Sequence, residues 1–119
     1  MKQVYIIDYI RTPIAKFQGG LSEVRADDLA AIVLKEIVKR NPQIPAEEIE
    51  DVILGCANQA GEDNRNVARM ASLLAELPVK IGGETVNRLC ASGMAAIANP
   101  NRPFQLGEGV FNFAGGEKK

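Results

Sequence analysis

The chain has 119 residues, 46% of them apolar and 24% charged, with 14 basic and 15 acidic side chains and a net charge of −1. That balance describes one ordinary globular domain. No Lys/Arg cluster is interleaved with aromatics, which excludes a nucleic-acid binder, and short apolar runs such as 30–34 exclude a membrane span.

Residues Val4-Tyr5-Ile6-Ile7 predict a strand buried on both faces, stopped by Arg11-Thr12-Pro13, with Arg11 a solvated loop charge. From Asp27 to Arg40 the pattern is helical. Asp27 and Asp28 suit the positive end of the helix and Lys39 and Arg40 the negative end, while Leu29, Ile32, Val33, Leu34, Ile37 and Val38 supply an apolar face. Asn41-Pro42 closes it.

A short turn at Pro45-Ala46-Glu47-Glu48 leads into a second strand, Asp51 to Gly55. Cys56 follows and reads as a packed structural thiol. Glu62-Asp63-Asn64 offers caps for a helix whose Val67, Met70, Ala71 and Leu74 recur at helical spacing and which ends at Leu77-Pro78, with Arg65 and Arg69 on an outer face. A third strand runs from Glu84 to Arg88. The helix that follows from about Ala91 is expected to end or kink near Ala98, because Pro100 or Pro103 inside a helix costs about 3 kcal/mol. A turn at Gly107 and Gly109 then precedes a fourth strand, Val110 to Phe113, and 115–119 reads as a polar end.

Strands alternating with helices predict an α/β domain with a mostly parallel sheet and helices on both faces. No dinucleotide or P-loop glycine pattern occurs. The amino end lacks a signal-peptide apolar core, so a cytoplasmic location with reduced thiols is expected.

The stretch 86–97 is the most enzyme-like. A β-branched run ends at Val86, Cys90 follows, and small residues open into an Ala-rich helix. A thiol at a helix start is favoured as thiolate, and a depression of about 1.5 units from ~8.5 leaves it half ionised near neutrality. Cys90 is therefore the candidate nucleophile, set against the plainer possibility of a buried thiol. The chain contains no histidine, so neither a Cys–His pair nor a His-containing metal site can be built from these residues alone.

Arg11-Thr12-Pro13, Asp51-Val52-Ile53-Leu54-Gly55 and above all Asn87-Arg88-Leu89-Cys90-Ala91-Ser92-Gly93-Met94 resemble the thiolases, acetyl-CoA C-acyltransferases. The similarity runs from Lys2 to about Asn99 and resumes at Gly107 to Gly116; 55–66 looks most like the 3-oxoadipyl-CoA thiolases of aromatic-compound breakdown. The resemblance implies residues 1–119 as an N-terminal thiolase domain, truncated and irregular from about residue 100, an incomplete βαβαβαβ unit. It implies Cys90 as the residue acylated by a 3-oxoacyl-CoA or acetyl-CoA, with its own N–H contributing to oxyanion stabilisation.

Coenzyme A and its acyl thioesters are then substrates. No covalently bound cofactor and no metal are expected, and no CoA-binding residue is assigned. The family assembles as homo-oligomers, dimers or tetramers. Its two catalytic histidines and second cysteine have no counterpart in this chain, so the 119 residues are expected to be inactive alone. Two alternatives stand beside this: a non-catalytic α/β module that associates with itself or a partner through an open sheet edge, and a redox protein using Cys56 and Cys90.

Overall fold

A computed structural model describes residues 1–117. Helix α1 spans Ala26–Arg40, strand β1 Ile49–Gly55, helix α2 Val67–Leu74, strand β2 Gly82–Val86, helix α3 Ser92–Ala98, helix α4 Asn101–Leu106 and strand β3 Phe111–Gly116. The sheet order is β2-β1-β3 and both pairings are parallel, with Gly55 opposite Val86 and Gly116. All three strands therefore end at the same edge.

Strand β1 lies at the centre, and four successive residues from Val52 to Gly55 are buried, as expected of a strand covered on both faces. Val52, Leu54 and Cys56 join Ala30, Ala31 and Leu34 of α1 and Val67, Ala68 and Ala71 of α2 in one core. Ile53, equally buried but pointing the other way, faces the side on which α3 packs. Val52, Val67 and Ile81 are almost completely enclosed, each contributing about 1.5–3 kcal/mol.

Small residues set the helix distances. A β-carbon on Gly83 would lie 2.6 Å from the Arg69 backbone, so glycine there lets α2 rest directly on β2.

The expected first strand does not form. Residues 1–16 have no regular structure, and Tyr5, Ile6 and Ile7 are exposed. A strand needs a hydrogen-bonded neighbour, whatever its β propensity. The run Val4 to Ile10 instead lines a cavity of about 410 Å³ together with Phe104, Phe111 and Phe113. The α/β class and parallel sheet are as expected, but the described chain forms three strands rather than four.

Smaller differences have local causes. In α1, Ile32 is exposed and the buried stripe is Ala26, Asp27, Ala30, Ala31 and Leu34, because alanines allow α1 and α2 to approach closely. Asp27 is buried yet paired: Arg25 donates two hydrogen bonds to it, at 3.1 and 2.9 Å, and the guanidinium holds its carboxyl below the usual range.

The cap of α2 is Asn66, whose Oδ1 accepts from Arg69 N at 3.2 Å. Glu62 instead accepts from Ala26 N at the start of α1. Arg69 is not an outward-facing charge; it donates to the carbonyls of Val79 and Ile81 and closes the loop before β2. Helix α3 ends at Ala98 as predicted, but a further helix, α4, forms across Pro103. The ring is tolerated because it sits in the first turn, where no i−4 acceptor awaits its missing N–H. Strand β3 runs on through Gly115-Gly116, which were expected in a polar tail; Lys118 and Lys119 of that tail lie outside the described residues.

Candidate active site

Both cysteines emerge at the common C-terminal edge of the three strands, the usual place for a site in an open parallel sheet. Cys56 N donates to Val86 O at 3.0 Å and Glu117 N to Gly55 O at 2.9 Å, so the strand ends are tied together just where the cysteines emerge. Both cysteines are free thiols, Cys56 buried and Cys90 exposed.

Cys90 sits in a 3-10 turn, Leu89–Ala91, immediately before α3. Two glycines allow α3 to come this close to the sheet edge. A β-carbon on Gly55 would meet the carbonyl carbon of Ser92 at 2.2 Å, and one on Gly116 would meet Gly93 Cα at 3.1 Å.

The chain turns from β2 into this segment through Leu89, whose φ of 51° lies in the left-handed region, a conformation costing a branched residue about 1–2 kcal/mol. Asn87 Oδ1 accepts from Leu89 N at 2.9 Å while Asn87 Nδ2 donates to Ala57 O at 3.1 Å. Ser92 Oγ accepts from Arg88 N at 2.9 Å and donates to Leu89 O at 2.7 Å. Nothing in hydrophobic periodicity singles out Asn87 or Ser92. The available signal is that short polar side chains flank the turn, where they compete for backbone groups.

Cys56 belongs to a different cluster. Its thiol donates to Asp63 Oδ2 at 3.2 Å, and Glu117 completes a group whose donor atoms lie within 4.8 Å of one another. Burial pushes the Cys56 thiol up, and the Asp63 carboxylate adds to the effect. Burial, followed by the charge of Asp63, pushes Glu117 up to about 7. The group combines a thiol hydrogen bond to one carboxylate with a second carboxyl that holds its proton more tightly than an ordinary glutamate. It is the structural thiol expected of Cys56, with Glu117 as an unexpected neighbour drawn from the supposed polar tail.

The two thiols therefore differ in access and environment. Iodoacetamide at pH 7.5 is expected to alkylate Cys90 at least about tenfold faster than Cys56, measured by peptide mass spectrometry; equal rates would contradict the placement.

Glu117 has a pH consequence. Its folded pKa is raised above the ordinary 4.5, so the unfolded chain releases this proton first. The stability is fully present below about pH 4.5 and declines as pH rises through 7. Urea unfolding of the parent and Glu117→Gln should show the glutamine variant gaining relative stability from pH 4.5 to 8, and a difference independent of pH would contradict the cluster.

Fold and site together define a parallel α/β domain that presents an exposed cysteine thiol at the C-terminal edge of its sheet. The chain belongs to the thiolase family: residues 4–119 match the family model for thiolase, N-terminal domain.

Among its relatives, the 3-oxoadipyl-CoA/3-oxo-5,6-dehydrosuberyl-CoA thiolase of Escherichia coli is 60% identical over 98% of this chain and 29% of its own length. The crystal structure of the Bacillus anthracis acetyl-CoA acetyltransferase superposes with a TM-score of 0.82 at 41% identity, covering 90% of this chain and 27% of that one. The Acat5 thiolase of Ascaris suum, solved in complex with coenzyme A, gives 0.76 at 37% identity, covering 84% and 26%. The chain thus spans less than a third of the length of these relatives. No described helix is long and apolar enough to cross a membrane.

Proposed function

We propose that Cys90 is the acyl-accepting nucleophile of a thiolase of which these residues form the N-terminal part. The observation that carries this is an exposed thiol, at the C-terminal edge of a parallel sheet, in the Asn87–Met94 segment of a chain matched to the thiolase N-terminal domain.

In thiolysis the Cys90 thiolate attacks the 3-keto carbon of a 3-oxoacyl-CoA. The bond between carbons 2 and 3 breaks, its electron pair leaves as the enolate of acetyl-CoA and takes up a proton, and the acyl group stays on sulfur. The CoA thiol then attacks this thioester, releasing the shortened acyl-CoA and restoring the Cys90 thiol. A thioester suits the task because it keeps the acyl group activated, and the Cys90 N–H is one donor for the oxyanion.

The Escherichia coli relative's name points to 3-oxoadipyl-CoA as substrate. The protein works in the cytoplasm, as a homo-oligomer. With no histidine among 119 residues, the chain has no imidazole to move protons at the substrate, so it accepts an acyl group without turning over.

Incubation of the chain with excess acetyl-CoA, followed by free CoA thiol, tests both parts. One equivalent of CoA per chain is expected. Sustained turnover at the rate of a complete thiolase overturns the claim of incompetence, and no release at all overturns the nucleophile.

A second reading is that the domain acts by association. Strand β3 has no partner on its outer side among the described residues, and that side opens on the apolar cavity beneath the run Val4 to Ile10. Sedimentation of a single monomeric species would remove it.

A further inference from the structure

We infer that Asn87 and Ser92 are positioning residues for Cys90: they lock Leu89 in its left-handed conformation and thereby fix where the acyl-accepting sulfur stands relative to the sheet edge. This rests on the reading of Cys90 as the nucleophile.

Leu89 is held neither by glycine-like freedom nor by packing. It is a branched residue at φ 51° with 72% of its surface exposed. What holds it is hydrogen bonding from both flanks. Its N–H is taken by Asn87 Oδ1, two residues before, and its carbonyl by Ser92 Oγ, three residues after.

Each clamp is itself anchored. Asn87 reaches with Nδ2 to Ala57 O, in the segment leaving β1, so the exits of β1 and β2 are tied through one side chain. Ser92 is 5% exposed and also accepts from Arg88 N. Its backbone rests on Gly55, where no side chain fits.

Cys90 is the next residue along the chain. A rotation at Leu89 would pivot its sulfur about the end of β2, and acyl transfer depends steeply on the placement of the reacting atoms. Alkylation by a small, freely approaching reagent depends on access far more than on aim. The two reactions separate positioning from exposure.

The test uses the full chain and acetyl-CoA at pH 8.5, with acetyl-Cys90 measured by mass spectrometry. In the step followed, the Cys90 sulfur bonds to the acetyl carbonyl carbon, the bond from that carbon to the CoA sulfur breaks, and the proton lost by Cys90 ends on the CoA thiol.

Asn87→Ala and Ser92→Ala should each slow acetylation roughly tenfold or more, with the iodoacetamide rate at Cys90 within about twofold of the parent. Asn87 is exposed, so its alanine variant is the one least affected by folding. Asn87→Ala/Leu89→Gly should recover part of the rate, because glycine adopts positive φ without strain.

Acetylation of Asn87→Ala at the parent rate overturns the inference and leaves the nucleophile assignment standing. So does a parallel fall in alkylation, which would mean lost access rather than lost aim. Failure of the parent to be acetylated at Cys90 overturns the nucleophile and this inference together.

Discussion

Replacing Cys90 with alanine is expected to abolish CoA release from acetyl-CoA, while Cys56→Ser leaves it in place. Deleting a nucleophile that forms a covalent intermediate costs about 10⁴-fold or more in enzymes that use one, and here no other thiol is accessible to replace it: Cys56 is 2% exposed and bonded to Asp63. Because Cys90 is exposed, its removal should change stability by less than about 0.5 kcal/mol, so loss of reaction cannot be mistaken for loss of fold. Serine at Cys56 retains a donor for Asp63. Free CoA and the urea midpoint, measured on the same samples, check both halves. Release that survives in Cys90→Ala would place the acceptor elsewhere.

Gly55→Ala is expected to be the most destabilising small substitution in the domain. The added β-carbon would lie 2.2 Å from the Ser92 carbonyl carbon, 2.3 Å from its oxygen and 2.5 Å from Gly93 N. These are backbone atoms, which cannot rotate away as a side-chain end can. Strand β1 is fixed on both sides by its neighbours, so α3 must move.

A cost of about 3 kcal/mol, at the upper end for overpacking, lowers the melting temperature by roughly 10 °C or more. Gly20→Ala, where nothing lies within 4 Å, is the matched control and should be near neutral. Thermal unfolding of the two variants tests the contact, and a Gly55→Ala melting temperature equal to the parent's would show that α3 does not sit on this glycine.

What was legible in the sequence divides along the range of the interactions involved. Strand β1 and helix α1 declare themselves through an unbroken apolar run and through charges matched to the helix ends, both local features. The segment around Cys90 is legible as a motif, strand then thiol then small residues, and its residues carry the family resemblance.

Long-range features are not legible in this way. Val4 to Ile7 has strand composition, but forming a strand depends on a neighbour that residues 1–117 do not place beside it. Glu62 lies close before α2 and reads as its cap, yet bonds to Ala26, 36 residues away. Ile32 outranks Ala31 in hydropathy, but the tight α1–α2 approach buries the alanine and leaves the isoleucine outside.

The site follows the same division. Cys90 is named by its neighbours in sequence. That Gly55 makes room for Ser92, and that Asn87 bridges to Ala57, are properties of two strand ends brought together by a parallel crossover. Glu117 reads as solvated because it follows two glycines near the end of the chain. Backbone pairing carries β3 one step further and delivers that carboxyl to Cys56 and Asp63.

The assignment of Cys90 as a thiolase nucleophile is tested most directly by a peptide map of the chain after brief exposure to acetyl-CoA, quenched in acid to preserve thioesters. One acetyl group per chain is expected, on the peptide containing Cys90, and none on the peptide containing Cys56. An unmodified Cys90, or acetyl shared equally between the two cysteines, would contradict it.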